Sequence, residues 1–314
     1  MQIISGASTT LSQPCVATIG FFDGVHTGHR FLIEQVKKVA AAKGLSSALV
    51  TFPLHPRKVM KPDAHQELLT TPQEKIELLE ATGVDYCLML DFTPQISQLT
   101  AREFMTQVLK DRFQVDCLVI GYDHRFGHNR REGFEEYVKY GRAIGMEVIR
   151  ASAYDKVLEN ETGERMRASS SFIRQLLHQG KVDLAARCLG YHYFLEGVVI
   201  DGYKVGRTIG FPTANLKLLH TDKLIPADGV YAVWVVVDNE CYKGVLNIGI
   251  RPTLNNGTNR TVEVNILHFD SDIYGKSIRI SFIKRLRDEL KFDRVDELIA
   301  QMKKDVLVAE SLLQ

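Results

Sequence analysis

Two histidines, His26 and His29, stand three residues apart in the stretch GFFDGVHTGH, Gly20 to His29. The apolar run CVATI precedes it and the pattern HRFLIEQVKKVAAAKG, with helical spacing and a glycine stop, follows. A buried strand that ends in such a turn and enters a helix leaves unpaired N–H groups at the helix start, and these suit phosphate. Gly24 and Gly28 let a backbone approach a ligand closely. On a helical turn His26 and His29 share a face, where two imidazoles can donate hydrogen bonds to charge developing on a phosphoryl group. A glycine turn with solvent-facing histidines explains one such histidine better than it explains the pair.

Three further stretches carry chemistry. RASSSFIR has the form of a serine-capped helix start, Ser169 to Ser171, with Arg174 on the first turn, an arrangement suited to a triphosphate. GYKVGRTIGFPTANL places glycines at 202, 206 and 210 and follows them with Pro212. Glycine and proline argue against a helix, so a loop whose N–H groups surround phosphates is expected. In the extended segment beyond, Thr213 and Asn215 are expected to point the same way and to help hold a magnesium ion, which keeps much of its shell for phosphate and water. In TVEVNIL, a period of two sets Val262, Val264 and Ile266 on one face and Glu263 and Asn265 on the other.

The elements that must position these residues fall into two patterns. VATIGF, SALVTF, VDYCLML, VDCLVIG and MEVIRAS are strand candidates separated by helical segments, among them PQEKIELLEATG, TAREFMTQVLKDRF and GFEEYVKYGRAIG. Such alternation predicts a parallel sheet with crossover helices, and ligands bind beyond the carboxyl ends of its strands. After about residue 180 the pattern becomes strand after strand: YFLEGVVIDG, VYAVWVVVD, CYKGVLNIG, TVEVNILHF and SIRISFIKRL. This predicts an antiparallel barrel or sandwich, closed by the amphipathic helix RVDELIAQMKKDVLVAESLL. SSFIRQLLHQG and KVDLAARCLG are expected to be short helices bridging the halves, giving domains over residues 1–180 and 186–314.

Composition bounds the function. The 314 residues suggest two domains. A content of 45% hydrophobic and 25% charged residues is that of an ordinary globular protein. The net charge of +1 gives no electrostatic case for nucleic acid or a membrane surface. The N-terminal MQIISGASTTLSQP has no basic start followed by an apolar core, so no signal peptide is expected. No apolar run is long enough to span a bilayer. None of the five cysteines forms a C-x-x-C pair, which speaks against a zinc site or disulfide framework and for reduced thiols in the cytoplasm.

Motif by motif, the chain resembles known families. GFFDGVHTGH resembles the G-x-F-D-G-x-H-x-G-H signature of the nucleotidyltransferase superfamily, and RASSSFIR fills the place of its later Ser/Thr-rich motif ending in Arg. TFPLHP (51–56) and GYDHRFGHNRREG (121–133) resemble the flavin-side segments of prokaryotic FAD synthetases, with Leu54 where proline is frequent and His124 where phenylalanine is common. GRTIGFPTAN resembles the riboflavin kinase signature, and GVLNIGIRPT, VEVNILHFDSDIYG and LRDELKF follow in that family's order, with Asn265 where many relatives have histidine. The chain is thus similar over nearly its whole length to the prokaryotic bifunctional riboflavin kinase/FAD synthetases.

The resemblance implies a Rossmann-like N-terminal nucleotidyltransferase domain and a C-terminal β-barrel kinase domain. The barrel would make FMN and ADP from riboflavin and ATP, and the N-terminal domain FAD and pyrophosphate from FMN and ATP. It implies His26 and His29 as catalytic in the second reaction and Glu263 as general base in the first. Phosphate ligands would be Gly20, Phe22, Asp23, Gly24, Gly28, Ser169, Ser170, Ser171 and Arg174 in one site, and Gly202, Gly206, Arg207, Gly210 and Pro212 in the other. Flavin would meet His55, Pro56, Asp123, Arg125, Arg251 and Arg287, and magnesium Thr213 and Asn215. The implied partners are ATP, riboflavin and FMN, with no nucleic acid and no membrane; no oligomeric state is specified. Two alternatives stay open at this level: an adenylyltransferase for another acceptor, and a non-enzymatic flavin-responsive regulator.

Overall fold

A computed structural model describes residues 1–6, 10–55, 59–60, 67–121, 124–154, 158–159, 165–201, 210–252 and 258–314. The chain divides into two compact units, Met1–Val157 and Leu158–Gln314.

In the first unit the strands are β1 (Gln2–Ser5), β2 (Cys15–Ile19), β3 (Ser46–Thr51), β4 (Tyr86–Met89), β5 (Val115–Ile120) and β6 (Glu147–Arg150). They form one sheet in the order β1-β4-β3-β2-β5-β6, and every pair is parallel. All five residues of β2 are buried, as befits a strand covered on both faces. Five of these strands fall on the expected apolar runs. The edge strand β1 was not foreseen: only Ile4 of its four residues is buried, so QIIS carries little hydrophobic signal.

Helix α1 (Thr27–Lys43) runs between β2 and β3 and stops at Gly44, whose φ of 64° is the left-handed conformation that glycine adopts without penalty. Helix α2 (Pro72–Glu80) starts with proline and a capping box between Thr71 and Glu74. Helix α3 (Phe134–Ala143) packs on β6. The segment expected as one α-helix, TAREFMTQVLKDRF, is α-helical only over Ala101–Glu103 and π-helical over Phe104–Arg112. Its buried side chains Phe104, Met105, Val108 and Leu109 all join the core of this unit.

The second unit is a closed antiparallel barrel. A short ribbon, β7 (Leu158–Glu159) and β8 (Arg165–Met166), comes first. The barrel strands are β9 (Phe194–Ile200), β10 (Ala214–Leu218), β11 (Gly229–Val237), β12 (Glu240–Pro252), β13 (Thr258–Ile266) and β14 (Ser277–Arg287), in the order β10-β13-β12-β11-β14-β9. Helices α4 (Ser170–His178) and α5 (Val182–Leu189) belong to this unit. They pack on each other and α5 packs on β14. The connection between them is tight, since a Cβ on Gly180 would lie 2.5 Å from Cδ of Arg285.

Helix α6 (Val295–Leu312) lies across β11, β12 and β14, burying Ala309 and Leu313 against Ala232. Arg287 on β14 fastens it. Nε of Arg287 donates to both oxygens of Asp305 at 3.1 Å, Nη2 donates to Oδ2 at 2.8 Å, and Gln301 adds a bond of 2.9 Å to Oδ1. Asp305 is buried, and removing one partner of a buried pair leaves the other charge uncompensated. Asp305→Ala is therefore expected to destabilise the second unit by about 3 kcal/mol. Denaturant unfolding followed by Trp234 fluorescence checks this; a midpoint equal to that of the unaltered chain contradicts it.

Candidate active sites

The first site is built where β2 ends. Phe22, Gly24 and Val25 all have positive φ, at 56°, 78° and 36°. For the two non-glycine residues this is strained backbone, which persists only where surroundings enforce it. The enforcing contacts are present. Gly20 N–H donates to Val50 O at 3.0 Å, Val25 N–H to Phe22 O at 3.0 Å, and Gly24 N–H to the Thr70 hydroxyl at 3.1 Å. Gly20 also makes room: a Cβ there would stand 3.0 Å from Cζ of Phe22.

The turn delivers His26 as the N-cap of α1. Its Nδ1 accepts the His29 N–H at 3.3 Å, which leaves the ring proton on Nε2 when the ring is neutral. The two imidazoles stack with centroids 3.6 Å apart and an interplanar angle of 20°, and His29 stands edge-on to Phe22 at 5.3 Å. Burial pushes the His26 pKa down to about 4, against the pull of Asp23. His29 is held well below the usual histidine value by burial, then by His26, His124 and Lys75. Both rings are thus held neutral at ordinary pH.

Asp23, 3% exposed, accepts from Leu69 N–H at 3.0 Å and from Thr70 N–H and the Thr70 hydroxyl, each at 3.1 Å. Lys75 on α2 is 2% exposed; its ammonium donates to Phe52 O at 2.7 Å, Phe21 O at 3.3 Å and the Thr51 hydroxyl at 3.5 Å. Burial lowers its pKa to about 8, with Asp23 opposing. Sequence reasoning missed Lys75 and Thr70. The available signal was spacing: Lys75 lies four residues before the buried Leu79, on the apolar stripe of its helix.

Of the residues expected to meet flavin, His55 places its ring edge-on to Phe21 at 4.4 Å. Arg125 is exposed, and Pro56 and Asp123 lie outside the described residues. The segment after Arg125 is anchored by Tyr137, whose ring stacks on Phe126 at 4.3 Å and whose hydroxyl accepts the Phe126 N–H at 3.1 Å. Gly127 is obligatory there: φ is +87°, and a Cβ would fall 2.6 Å from the Ala101 nitrogen. Ser169 caps α4, accepting the Phe172 N–H at 3.2 Å, with Ser170 and Ser171 on the first turn and Arg174, expected there too, at the start of the second.

The second site lies in the barrel. Gly202, Gly206 and Arg207 lie outside the described residues, as does the side chain of Arg251 on β12. Gly210 has a φ of 83°, with open space where a Cβ would be. Beyond it, Pro212 O accepts from Nδ2 of the buried Asn265 at 2.7 Å. Val262, Val264 and Ile266 are buried, and Glu263 lies directly across from Asn215 in the β10–β13 register. The Thr261 hydroxyl donates to Glu263 at 3.3 Å.

Thr213, Glu263, Asn265, Arg287 and, from α6, Met302 line a cavity of about 320 Å³. A neighbouring cavity of about 280 Å³ is lined by Pro212, Thr213, Phe269, Asp270 and Tyr274. Thr213 is common to both, so two substrates seated in them would meet at Thr213. Asn215 lines a different space of about 560 Å³ with Lys217 and Arg260. Thr213 and Asn215 are neutral oxygen donors of the kind magnesium accepts, but they line different spaces, so the pair expected to share one ion is not brought together into one cavity. Glu263 stands opposite Asn215 in register and lines the cavity of Thr213. Among the described residues no group of three His, Cys, Asp or Glu side chains could hold a metal alone.

Comparison with known proteins defines the class: residues 8–163 match the FAD synthetase family model and residues 189–313 the riboflavin kinase model. Two chemistries of flavin-nucleotide synthesis are thus joined in one polypeptide. The chain belongs to the family of bifunctional riboflavin kinase/FMN adenylyltransferases. It is 37% identical over 296 residues to the member from Bacillus subtilis, covering 92% of this chain and 90% of that one. It is 36% identical over 313 residues to the member from Escherichia coli K12, covering 98% and 97%. A crystal structure described as a macrolide-efflux protein from Streptococcus pneumoniae superimposes with a TM-score of 0.86 at 34% identity, over 96% of this chain and 95% of that one. Among the described residues no helix is long and apolar enough to cross a membrane.

The depressed histidine pKa values give a direct test. The neutral form of His26 dominates above about 4 and is lost only as pH falls through that value. In a ¹⁵N-histidine NMR titration of the free protein, His26 and His29 are expected to stay neutral from pH 8 down to pH 5.5, about one and a half units above the His26 value, as buried imidazoles do. Titration of either ring near the ordinary histidine value contradicts the site described.

Proposed function

We propose that this chain phosphorylates riboflavin with ATP, giving FMN and ADP, and adenylylates FMN with a second ATP, giving FAD and pyrophosphate. The observation that carries the reading is full-length similarity to bifunctional relatives, with both motif sets present in order. We assign adenylyl transfer to residues 1–180 and the kinase to residues 186–314. The two reactions attack different phosphorus atoms, which accounts for two unlike sites.

In the kinase reaction the ribityl 5′-hydroxyl attacks the γ-phosphorus of ATP, its proton passes to Glu263, and ADP leaves. Gly202, Gly206, Arg207, Gly210 and Pro212 are the proposed phosphate-side residues, and Arg251 and Arg287 the flavin-side ones. The Arg287–Asp305 pair supports this by holding α6 against the flavin cavity. Thr213 and Asn215 are the proposed magnesium ligands; the ion, when bound, neutralises phosphate charge.

In adenylyl transfer an FMN phosphate oxygen attacks the α-phosphorus of ATP and pyrophosphate leaves. His26 and His29 donate hydrogen bonds to the phosphoryl oxygens as charge moves to the leaving group. Gly20, Phe22, Asp23, Gly24 and Gly28 shape the turn, and Ser169, Ser170, Ser171 and Arg174 bind phosphate. The hydrogen bonds of Asp23 favour a turn-holding role for it over direct phosphate contact. His55, Pro56, Asp123 and Arg125 are assigned to FMN. The work is positioning and charge stabilisation without a covalent enzyme intermediate. We place the protein in the cytoplasm, acting on small molecules rather than on nucleic acid or membranes; the near-zero net charge supports this.

Incubation with riboflavin, ATP and magnesium, followed by separation of FMN and FAD, tests the reading. His29→Ala is expected to accumulate FMN while FAD formation falls about 10²–10³-fold, the usual cost of one preorganised donor. Glu263→Gln is expected to lose roughly 10²–10⁴ in kinase kcat yet to convert added FMN to FAD normally. Wild-type rates in either variant overturn the corresponding role, and failure of the unaltered chain to make either product overturns the reading.

A further inference from the structure

The order of the parallel sheet marks one place on its carboxyl edge. β2 has β3 on one side and β5 on the other. The chain builds outward from β2 through β3 to β4, then returns to place β5 and β6 on the opposite side. The reversal opens a crevice beyond β2 and β5, where open sheets of this kind hold ligands. His26 and His29 follow β2; Gly121 and His124 follow β5.

Two buried ring nitrogens beyond these strands have no hydrogen-bond partner among the described residues: Nδ1 of His29, on the first turn of α1, and Nε2 of His124, just past β5. They are two of only four such side-chain atoms among those residues. A buried polar atom left unpaired calls for an explanation, and two that follow β2 and β5, the strands flanking the crevice, share one. His124 is held in place by its own backbone. Its N–H donates to Gly121 O at 3.1 Å. A Cβ on Gly121 would lie 3.7 Å from Cδ2 of Leu32 and 3.9 Å from Cβ of His124, so this turn packs against α1 one turn beyond His29.

We propose that His124 is a third ligand-binding imidazole of the N-terminal site, donating through Nε2–H to a phosphate oxygen of the nucleoside triphosphate. The inference rests on the adenylyltransferase reading and extends it to a residue whose usual counterpart, phenylalanine, has no nitrogen to offer. Burial pushes the His124 pKa down to about 4, as it does for His26. Neutral donors suit this crevice, because three adjacent cations would repel one another and would each bear the cost of desolvation. With His29 approaching from the β2 side and His124 from the β5 side, the phosphates gain donors from both walls.

His124→Phe keeps an aromatic ring beside Phe126, 6.1 Å from it in the unaltered chain, and removes the nitrogens. It is expected to lower kcat for FAD formation from added FMN about 10²-fold, while riboflavin phosphorylation in the same preparation is unchanged. His124→Gln, which keeps a donor, is expected to lose less. FAD formation by His124→Phe at the wild-type kcat and ATP KM overturns the inference. A second readout does not depend on the variant folding. In the unaltered chain carrying ¹⁵N-histidine, magnesium and α,β-methylene-ATP are expected to shift the His124 Nε2 signal together with that of His29. A shift of His29 with His124 silent overturns the role of His124 alone. If neither ring responds and no FAD forms, the adenylyltransferase reading fails with it.

Discussion

The N-terminal site depends on one buried cation. An ammonium in an apolar interior is costly unless its protons are all placed, and Lys75 meets that condition only where three chain segments converge. Its donors reach Phe21 just past β2, and Thr51 and Phe52 at the end of β3, while its backbone belongs to α2. Its charge also lies 4.1 Å from the centroid of the Phe21 ring. Asp23 closes the same knot from the other side by taking the N–H groups of Leu69 and Thr70. A turn held this firmly can sustain left-handed backbone at Phe22 and Val25. That backbone in turn brings His26 to the N-cap and stacks it on His29. Lys75 thus serves the chemistry at one remove, through geometry and through the positive field that helps keep His29 neutral.

The barrel solves a similar problem with different parts. Its cavity of about 320 Å³ forms between strands and a helix laid across them, so the tie needed is one that holds the helix down. Arg287 and Asp305 supply it at the wall of the cavity that Glu263 and Asn265 share. Asn265 holds the Pro212 carbonyl and so fixes the approach to Thr213, the residue common to both cavities. In each unit a buried charge well outside the glycine-rich motif in sequence ties elements together: Lys75 joins the ends of β2 and β3 to α2, and Asp305 joins α6 to β14.

Much of this was legible in the sequence, and the remainder was hidden for physical reasons. Apolar runs revealed five strands of the parallel sheet: β2 to β5 because strands buried on both faces leave few polar interruptions, and the half-buried edge strand β6 because Val148 and Ile149 still form a short apolar run after Gly145. QIIS escaped notice because an edge strand with one buried residue carries no such run. The π-helical turns over Phe104–Arg112 could not be told from an α-helix, since the apolar pattern is shared by both. Among candidate site residues, glycine, histidine and serine spacings picked out the turn after β2 and the helix cap at Ser169. The ring stacking, the tautomer of His26 and the loss of charge on both histidines depend on burial, which spacing does not encode. Thr70 lies 46 residues from Gly24, and Lys75 lies 23 residues from Phe52 and 54 from Phe21, and a lysine within PQEKIELLE looks like any solvated helix residue.

The measurement that bears most directly on this account is the pair of activities in Lys75→Met, which keeps the length and apolar stem of the side chain and removes the ammonium. FAD formation from added FMN is expected to fall at least about 10-fold, the rate loss that follows when reacting groups lose their alignment, while riboflavin phosphorylation by the same chain stays at the wild-type rate. A Lys75→Met chain that makes FAD as fast as the unaltered protein would contradict the claim that the buried ammonium holds the site together.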